Sequence, residues 1–261
     1  MVQGPKRRLF EFKQVIPNLV TVFVICCGMT AIRFGFEGRY GIAIMLLVLA
    51  AILDAMDGKI ARALDSVTPI GAELDSLADF FNFGIAPGVL VYSAIFSGTP
   101  YANLGWLSVL AVGVCCALRL ARFNVANDQP PTRGWKAEYF VGVPAPALGC
   151  LVLMPMFFLM LGVDGIRDHP NFIFVYLIGA GLLAVSRIPT FSIKHARINR
   201  DYLPYIMLAS AAIIISMVTF LWETLIFLCF VYLFTIPLSA KQYRQRLATE
   251  PEANDTDDPE S

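Results

Sequence analysis

Long apolar runs dominate this chain, and short polar stretches divide them into about eight segments. Each segment is close to the roughly 20 residues that a helix needs to cross a lipid bilayer. Because backbone polar groups in lipid must be satisfied within the segment itself, such runs form helices. The pattern therefore predicts an all-α integral membrane protein, a polytopic helix bundle with about eight transmembrane helices. The predicted spans are residues 17–36, 40–62, 71–96, 104–122, 144–162, 171–187, 203–219 and 222–239.

Composition indicates the same class of protein. Of the 261 residues, 57% are hydrophobic and only 15% are charged, far from the balance of a soluble domain. The net charge is zero, so no overall field favours nucleic-acid binding, and we expect no nucleic-acid partner. All six cysteines lie within apolar segments and lack zinc-site spacing, which indicates buried apolar side chains.

Lysine and arginine concentrate in alternate connections between the spans. The N-terminal arm and the connections after the second, fourth, sixth and eighth spans are basic, whereas the opposite connections carry only Arg33, Arg39 and Arg167. Because basic loops stay in the cytoplasm, we expect a multi-pass protein of the inner (cytoplasmic) membrane, with both termini in the cytoplasm. The predicted divisions are a basic arm (1–16), a core (17–200), two additional helices (201–240) and an acidic, disordered cytoplasmic tail (241–261).

Four aspartates interrupt the apolar pattern on two consecutive predicted helices. At 100° per residue, Asp54, Asp57 and Gly58 share one face of the second span. Asp75 and Asp79 share one face of the third span with small residues. If the two stripes pack together, they gather four carboxylates into one cytoplasmic pocket.

Clustered carboxylates repel one another unless cations hold them. Oxygen ligands without a His or Cys cluster select Mg²⁺, Mn²⁺ or Ca²⁺ rather than zinc. Two pairs of carboxylates suit a two-metal centre, whose usual chemistry is phosphoryl transfer. A glycine inside a helix, as at Gly58, further suggests that a ligand approaches the backbone closely. The plainer alternative is that these acids only flank membrane helices at the water surface.

The complete pattern resembles the signature of the CDP-alcohol phosphatidyltransferase family. It reads Asp54-x2-Asp57-Gly58-x2-Ala61-Arg62-x8-Gly71-x3-Asp75-x3-Asp79, with no position missing. The resemblance covers roughly residues 15–200 and implies a six-helix core in a homodimeric membrane enzyme. Such an enzyme moves a phosphatidyl group from a CDP-linked lipid to an alcohol and releases CMP.

The resemblance also implies roles for individual residues. Asp54, Asp57 and Asp75 would hold the metals, which are Mg²⁺ or Mn²⁺ and number two per active site. Asp79 would complete the metal ligands and act as the general base that takes the proton of the alcohol. The alternative base is His195, which lies in a basic loop. The CDP-lipid contacts would be Asn18, Thr21, Asp57, Gly58, Arg62 and Thr68.

The second half of the chain carries the information on the acceptor. Segments 120–124, 142–146 and 189–194, together with 76–87 in the third span, resemble the branch of the family that uses L-serine, although Val143 and Ala145 replace the expected Leu and Thr or Ser. The expected substrates are therefore CDP-diacylglycerol and L-serine, within membrane lipids. The candidate ligands for the acceptor are Arg119, Arg122 and Lys194.

Two alternatives stay open from the sequence. A sister enzyme would use glycerol 3-phosphate or inositol phosphate, and the extra phosphate would call for a denser basic pocket. A divalent-cation transporter would also carry carboxylates within the membrane. Against a transporter, all four acids lie near one membrane face, and Arg62 beside them would repel a permeating cation.

Overall fold

Helices account for nearly all of the residues that the computed structural model describes, which are 12–63, 68–127, 139–191 and 202–249. The long apolar runs leave the backbone no other partner in lipid, so each run closes its hydrogen bonds within a helix. The elements in chain order are α1 (Phe12–Phe36), α2 (Tyr40–Ala63), α3 (Pro69–Asp79), a first π-helical turn (Phe80–Ile85), α4 (Ala86–Val91), a second π-helical turn (Tyr92–Phe96), α5 (Ala102–Asn127), β1 (Tyr139–Val141), α6 (Ala145–Met160), a 3₁₀ turn (Asp164–Asp168), α7 (Pro170–Val185), β2 (Pro189–Phe191), α8 (Leu203–Thr219) and α9 (Leu221–Thr249).

The predicted all-α membrane bundle is confirmed. Each of the eight predicted spans overlaps a helix of the structure, and α8 has the predicted bounds. The helices α6, α7 and α8 are apolar but shorter than a full span, so a total of eight crossings stays a prediction. Within the described ranges, five stretches are long and apolar enough to cross a membrane: Ile16–Phe36, Tyr40–Lys59, Pro69–Phe96, Ala102–Ala126 and Leu221–Arg246.

Two features differ from the expectation. A short antiparallel ribbon pairs β1 with β2, with Phe140 opposite Thr190. Strands of three residues are too short to produce a recognisable alternation, so this ribbon could not be predicted from the sequence.

In addition, α9 continues to Thr249, so the first part of the predicted disordered tail is helical. Basic residues there, such as Arg246, favour a helix C-terminus.

The helix α6 forms the centre of the bundle. Most of its residues are buried, and it contacts α4, α7, α9 and the first π-helical turn. Around it, α1 pairs with α2, and α5 pairs with α7. The helix α8 packs mainly on α9 and buries none of its residues, so it lies at the edge of the described bundle. Lipid is the expected neighbour of its apolar side chains.

The third span is a helix with two widened turns. Pro87 near the start of α4 has no N–H to donate to the preceding turn, and the chain accommodates this with the π-helical turn at Phe80–Ile85. Gly84 within that turn lies against Cys116 of α5, where a side chain would come within 2.9 Å of the cysteine atoms. The widened turn begins directly after Asp79, and π-helical turns of this kind are frequent at functional sites.

Candidate active site

Three aspartates from two helices meet at one point. Asp54 and Asp57 come from α2 and Asp75 comes from α3, and both helices meet α1. One carboxylate oxygen from each residue lies within 4.8 Å of the other two. Asp57 is 3% exposed, Asp54 is half-buried and Asp75 reaches the surface, so the cluster opens outward on one side. The acidic stripes predicted from helical periodicity thus face each other.

Asp79 lies beside this cluster rather than within it. Its carboxyl group is within hydrogen-bonding reach of that of Asp54, and the charge of Arg119 acts on it from α5. It is not one of the three residues whose oxygens converge within 4.8 Å. Asp79 is expected both to complete the metal ligands and to act as the base, and both roles stay predictions.

The chemistry of the cluster fits a divalent cation. The Oδ1 atom of Asp54 is buried and has no hydrogen-bond partner in the described part of the chain. The ion pairs among the described residues join Glu37 to Arg33 and Arg39, at the other end of α1, and none neutralises the cluster. A buried carboxylate without compensation is costly, and a cation held by three carboxylates would remove that cost. The ligand set is all oxygen, which favours Mg²⁺, Mn²⁺ or Ca²⁺.

Residues predicted to contact the CDP-lipid lie on one side of the cluster. The hydroxyl of Thr21 on α1 donates to Oδ2 of Asp57 over 3.0 Å, and both residues are buried. Thr68 caps α3, and its hydroxyl accepts the N–H of Gly71 over 3.0 Å. A Cβ atom at Gly71 would lie 2.7 Å from Oδ1 of Asn18, so only glycine lets α3 approach this polar group so closely. Asn18 and Thr21 of α1 and the first turn of α3 therefore form one polar wall next to Asp57.

The other residues predicted to contact the CDP-lipid are Gly58 and Arg62, both on α2. Gly58 is exposed, and no atom of the described residues lies within 4 Å of the place that a Cβ would take. The space over Gly58 is thus open to a ligand. Arg62 belongs to α2, but its side chain lies outside the described residues, as do Lys194 and His195.

The two predicted acceptor arginines have distinct surroundings. Arg119 is partly buried over the ring of Phe123, and its Nη1 atom has no hydrogen-bond partner among the described residues. Arg122 donates to the carbonyl oxygens of Val185 (2.8 Å) and Ser186 (3.2 Å), which end α7. Arg122 thus ties α5 to α7, a structural contact that the sequence did not reveal, and its role toward the acceptor stays a prediction.

One positioning contact was also missed from the sequence. Nδ2 of Asn124 on α5 donates to Oγ of Ser76 over 3.0 Å, which anchors α3 directly after Asp75. Both residues lie in the segments that resemble the serine-using branch, but spacing alone does not show that they meet. The contact holds one of the clustered carboxylates in place against its neighbours.

Comparison with known proteins gives a consistent result. The family model described as CDP-alcohol phosphatidyltransferase matches residues 14–236. A protein of Mycobacterium leprae (strain TN) named CDP-diacylglycerol–serine O-phosphatidyltransferase is 36% identical over 260 residues, which cover 98% of this chain and 84% of that protein. Proteins with the same name from Bacillus subtilis (strain 168) and Methanocaldococcus jannaschii are 33% and 32% identical, cover 71% and 74% of this chain, and are each matched over 96% of their own length.

The carboxylate cluster predicts an absolute metal requirement. Asp54→Asn or Asp75→Asn should lower activity by more than about a hundredfold, because each removes one of few metal ligands. EDTA should abolish activity, and excess Mg²⁺ or Mn²⁺ should restore it. Glu73→Gln is the matched control, since Glu73 is an exposed acid of α3 outside the cluster. Full activity of either cluster variant, with normal folding in membranes, would contradict the metal site.

The open space over Gly58 predicts a selective effect of a single methyl group. Gly58→Ala should leave thermal stability unchanged or slightly higher, because the new Cβ meets no atom in the described part of the chain and Ala favours the helix. The KM for CDP-diacylglycerol should rise by about tenfold to a hundredfold if the substrate occupies that space.

Gly179→Ala on α7 is the control for this experiment, because a Cβ at Gly179 would also have no atom of residues 12–63, 68–127, 139–191 or 202–249 within 4 Å. It should change neither stability nor KM. An unchanged KM in Gly58→Ala would mean that the substrate does not approach this backbone.

Proposed function

The chain belongs to the CDP-alcohol phosphatidyltransferase family, and we propose that it transfers the phosphatidyl group of CDP-diacylglycerol to the hydroxyl of L-serine, giving phosphatidylserine and CMP. The observation that carries this proposal is the meeting of Asp54, Asp57 and Asp75 beside the polar wall of α1 and α3. The choice of serine is supported by the names of relatives that match nearly the whole chain.

In this proposal the cluster holds Mg²⁺ or Mn²⁺, two ions per site. When bound, the cations would neutralise the diphosphate and stabilise the departing CMP. Asp54, Asp57 and Asp75 supply the main ligands, with Asp79 at their edge. The buried, unpartnered Oδ1 of Asp54 supports this assignment.

The polar wall binds the nucleotide part of the lipid substrate. Asn18 and Thr21 lie within the first turns of the membrane span, where they can reach the cytidine, and Thr21 also orients Asp57. Gly58 leaves room for the diphosphate, and Arg62 and Thr68 complete the contacts. The lipid chains extend along the apolar surface of the bundle.

Asp79 acts as the general base. It accepts the proton of the serine hydroxyl while the serine oxygen attacks the phosphorus that bears diacylglycerol, and the bond from that phosphorus to CMP breaks. The charge of Arg119 on α5 acts on Asp79, and its Nη1 atom has no hydrogen-bond partner among the described residues, so it is available to hold the serine carboxylate. No Ser, Cys or His lies on the acidic stripes, so we propose direct displacement without a phosphatidyl-enzyme.

The surroundings of the arginines favour serine over a phosphate-bearing acceptor. Within the described residues, Arg119 is the cation that acts on Asp79, while Arg122 directs donors to the end of α7. Glycerol 3-phosphate or inositol phosphate would require a denser group of cations. A transporter is disfavoured because no further acidic cluster continues the path among the described residues.

We further propose that the active site faces the cytoplasm, with both termini on that side of the inner membrane. Support comes from the basic connections on the side of the cluster. At the opposite end, Arg33 is paired with Glu37 over 3.0 Å, which offsets part of the charge there. The homodimer stays a prediction of the family resemblance.

An acceptor panel with purified protein and CDP-diacylglycerol tests the function. CMP release should depend on L-serine and should be absent with glycerol 3-phosphate or inositol phosphate. Labelled CMP should not exchange into CDP-diacylglycerol without serine, because a single displacement has no partial reaction. Asp79→Asn should be inactive with every acceptor and is the background control. Release with a phosphorylated acceptor would overturn the substrate assignment, and exchange without serine would overturn the mechanism.

A further inference from the structure

The helix α9 lies beyond the six helices expected to form the core, yet it lines the described bundle. It packs on α6 and on β2 of the short ribbon. Its inward stripe follows helical spacing and is mostly apolar, with two polar members, Tyr232 and Ser239. A polar group on an otherwise apolar inward stripe needs a partner.

The hydroxyl of Tyr232 has no such partner within the described residues. It lies next to Thr190 of β2 and close enough to Arg119 to interact with that charge. The hydroxyl of Thr190 already donates to the carbonyl oxygen of Gly142 over 2.9 Å, and no hydrogen bond of ordinary geometry joins it to Tyr232. The Tyr232 hydroxyl is therefore a buried donor that is still available.

Arg119 carries a second available donor within electrostatic range of Tyr232. Its Nη1 atom is also buried without a hydrogen-bond partner in the described part of the chain. Its charge interacts with both Tyr232 and Asp79. Leaving buried donors unpaired is costly, and two such donors together are complementary to an anion that accepts from both.

We propose that Tyr232 is a specificity-determining residue for the acceptor, whose hydroxyl donates to the serine carboxylate held by Arg119. This inference rests on the proposed function and extends it to a helix outside the expected core. A carboxylate offers two oxygens, so a guanidinium and a phenol can each bind one. The carboxylate also distinguishes serine from amino alcohols that carry the same hydroxyl and amino groups.

Tyr232→Phe tests the inference, because it removes only the hydroxyl. The KM for serine should rise about tenfold, as expected for one lost hydrogen bond to a charged group. The kcat and the KM for CDP-diacylglycerol should change by less than about twofold. The preference for serine over serinamide, measured as the ratio of kcat/KM values, should fall by the same factor of about ten. Thermal stability should not fall, since the hydroxyl has no partner to lose among the described residues.

Tyr176→Phe on α7 is the matched control. The hydroxyl of Tyr176 donates to the carbonyl oxygen of Leu151 over 2.7 Å, so this variant should lose thermal stability. It should retain the serine KM and the preference over serinamide, because no proposed acceptor ligand lies beside it.

The outcomes separate this inference from the proposed function. If the wild-type protein releases no CMP with serine, the proposed function fails, and the role of Tyr232 fails with it. If the wild type uses serine and Tyr232→Phe has the same serine KM and the same preference over serinamide, the inference alone is overturned. A selective rise in serine KM with reduced preference supports it.

Discussion

The mutual repulsion of carboxylates in an apolar protein is the constraint on which the rest of the structure depends. Asp54, Asp57 and Asp75 place oxygens within 4.8 Å of one another, and no ion pair among the described residues neutralises them. Repulsion of this kind is strong where water is scarce. The surrounding contacts oppose it from several sides, because Thr21 binds Asp57, Asn124 anchors α3 beside Asp75, and Gly71 lets α3 close on α1. The bundle therefore holds three carboxylates together, and a cation could balance their charge.

Periodicity predicted much of this arrangement. The uncharged runs predicted where the helices lie, because in lipid a long apolar segment can satisfy its backbone hydrogen bonds only as a helix. The spacing of Asp54 and Asp57, and of Asp75 and Asp79, predicted two facing stripes, because both pairs lie within one helical turn or slightly more. The π-helical turn does not change the relative positions of these aspartates along the helix, because it begins at Phe80, after Asp79.

Contacts between distant segments could not be predicted in this way. Arg122 reaches the end of α7, 63 residues further along the chain, and the β1–β2 ribbon joins segments that are separated by two helices. Such pairings depend on how helices pack rather than on local spacing. The same applies to Tyr232, which resembles any other tyrosine on an apolar helix until α9 is seen beside β2 and Arg119. The aspartate cluster could therefore be predicted from the sequence, whereas the contacts around the candidate acceptor residues could not.

We propose that the three converging carboxylates hold a divalent cation that meets the diphosphate of CDP-diacylglycerol. Electron paramagnetic resonance of Mn²⁺ with the purified protein in lipid nanodiscs can detect both contacts. Mn²⁺ should bind saturably, Asp75→Asn should remove this binding, and a phosphorus-31 coupling to the bound Mn²⁺ should arise once CDP-diacylglycerol is added. Undiminished Mn²⁺ binding in Asp75→Asn, or bound Mn²⁺ without phosphorus coupling in the presence of the lipid, would contradict it.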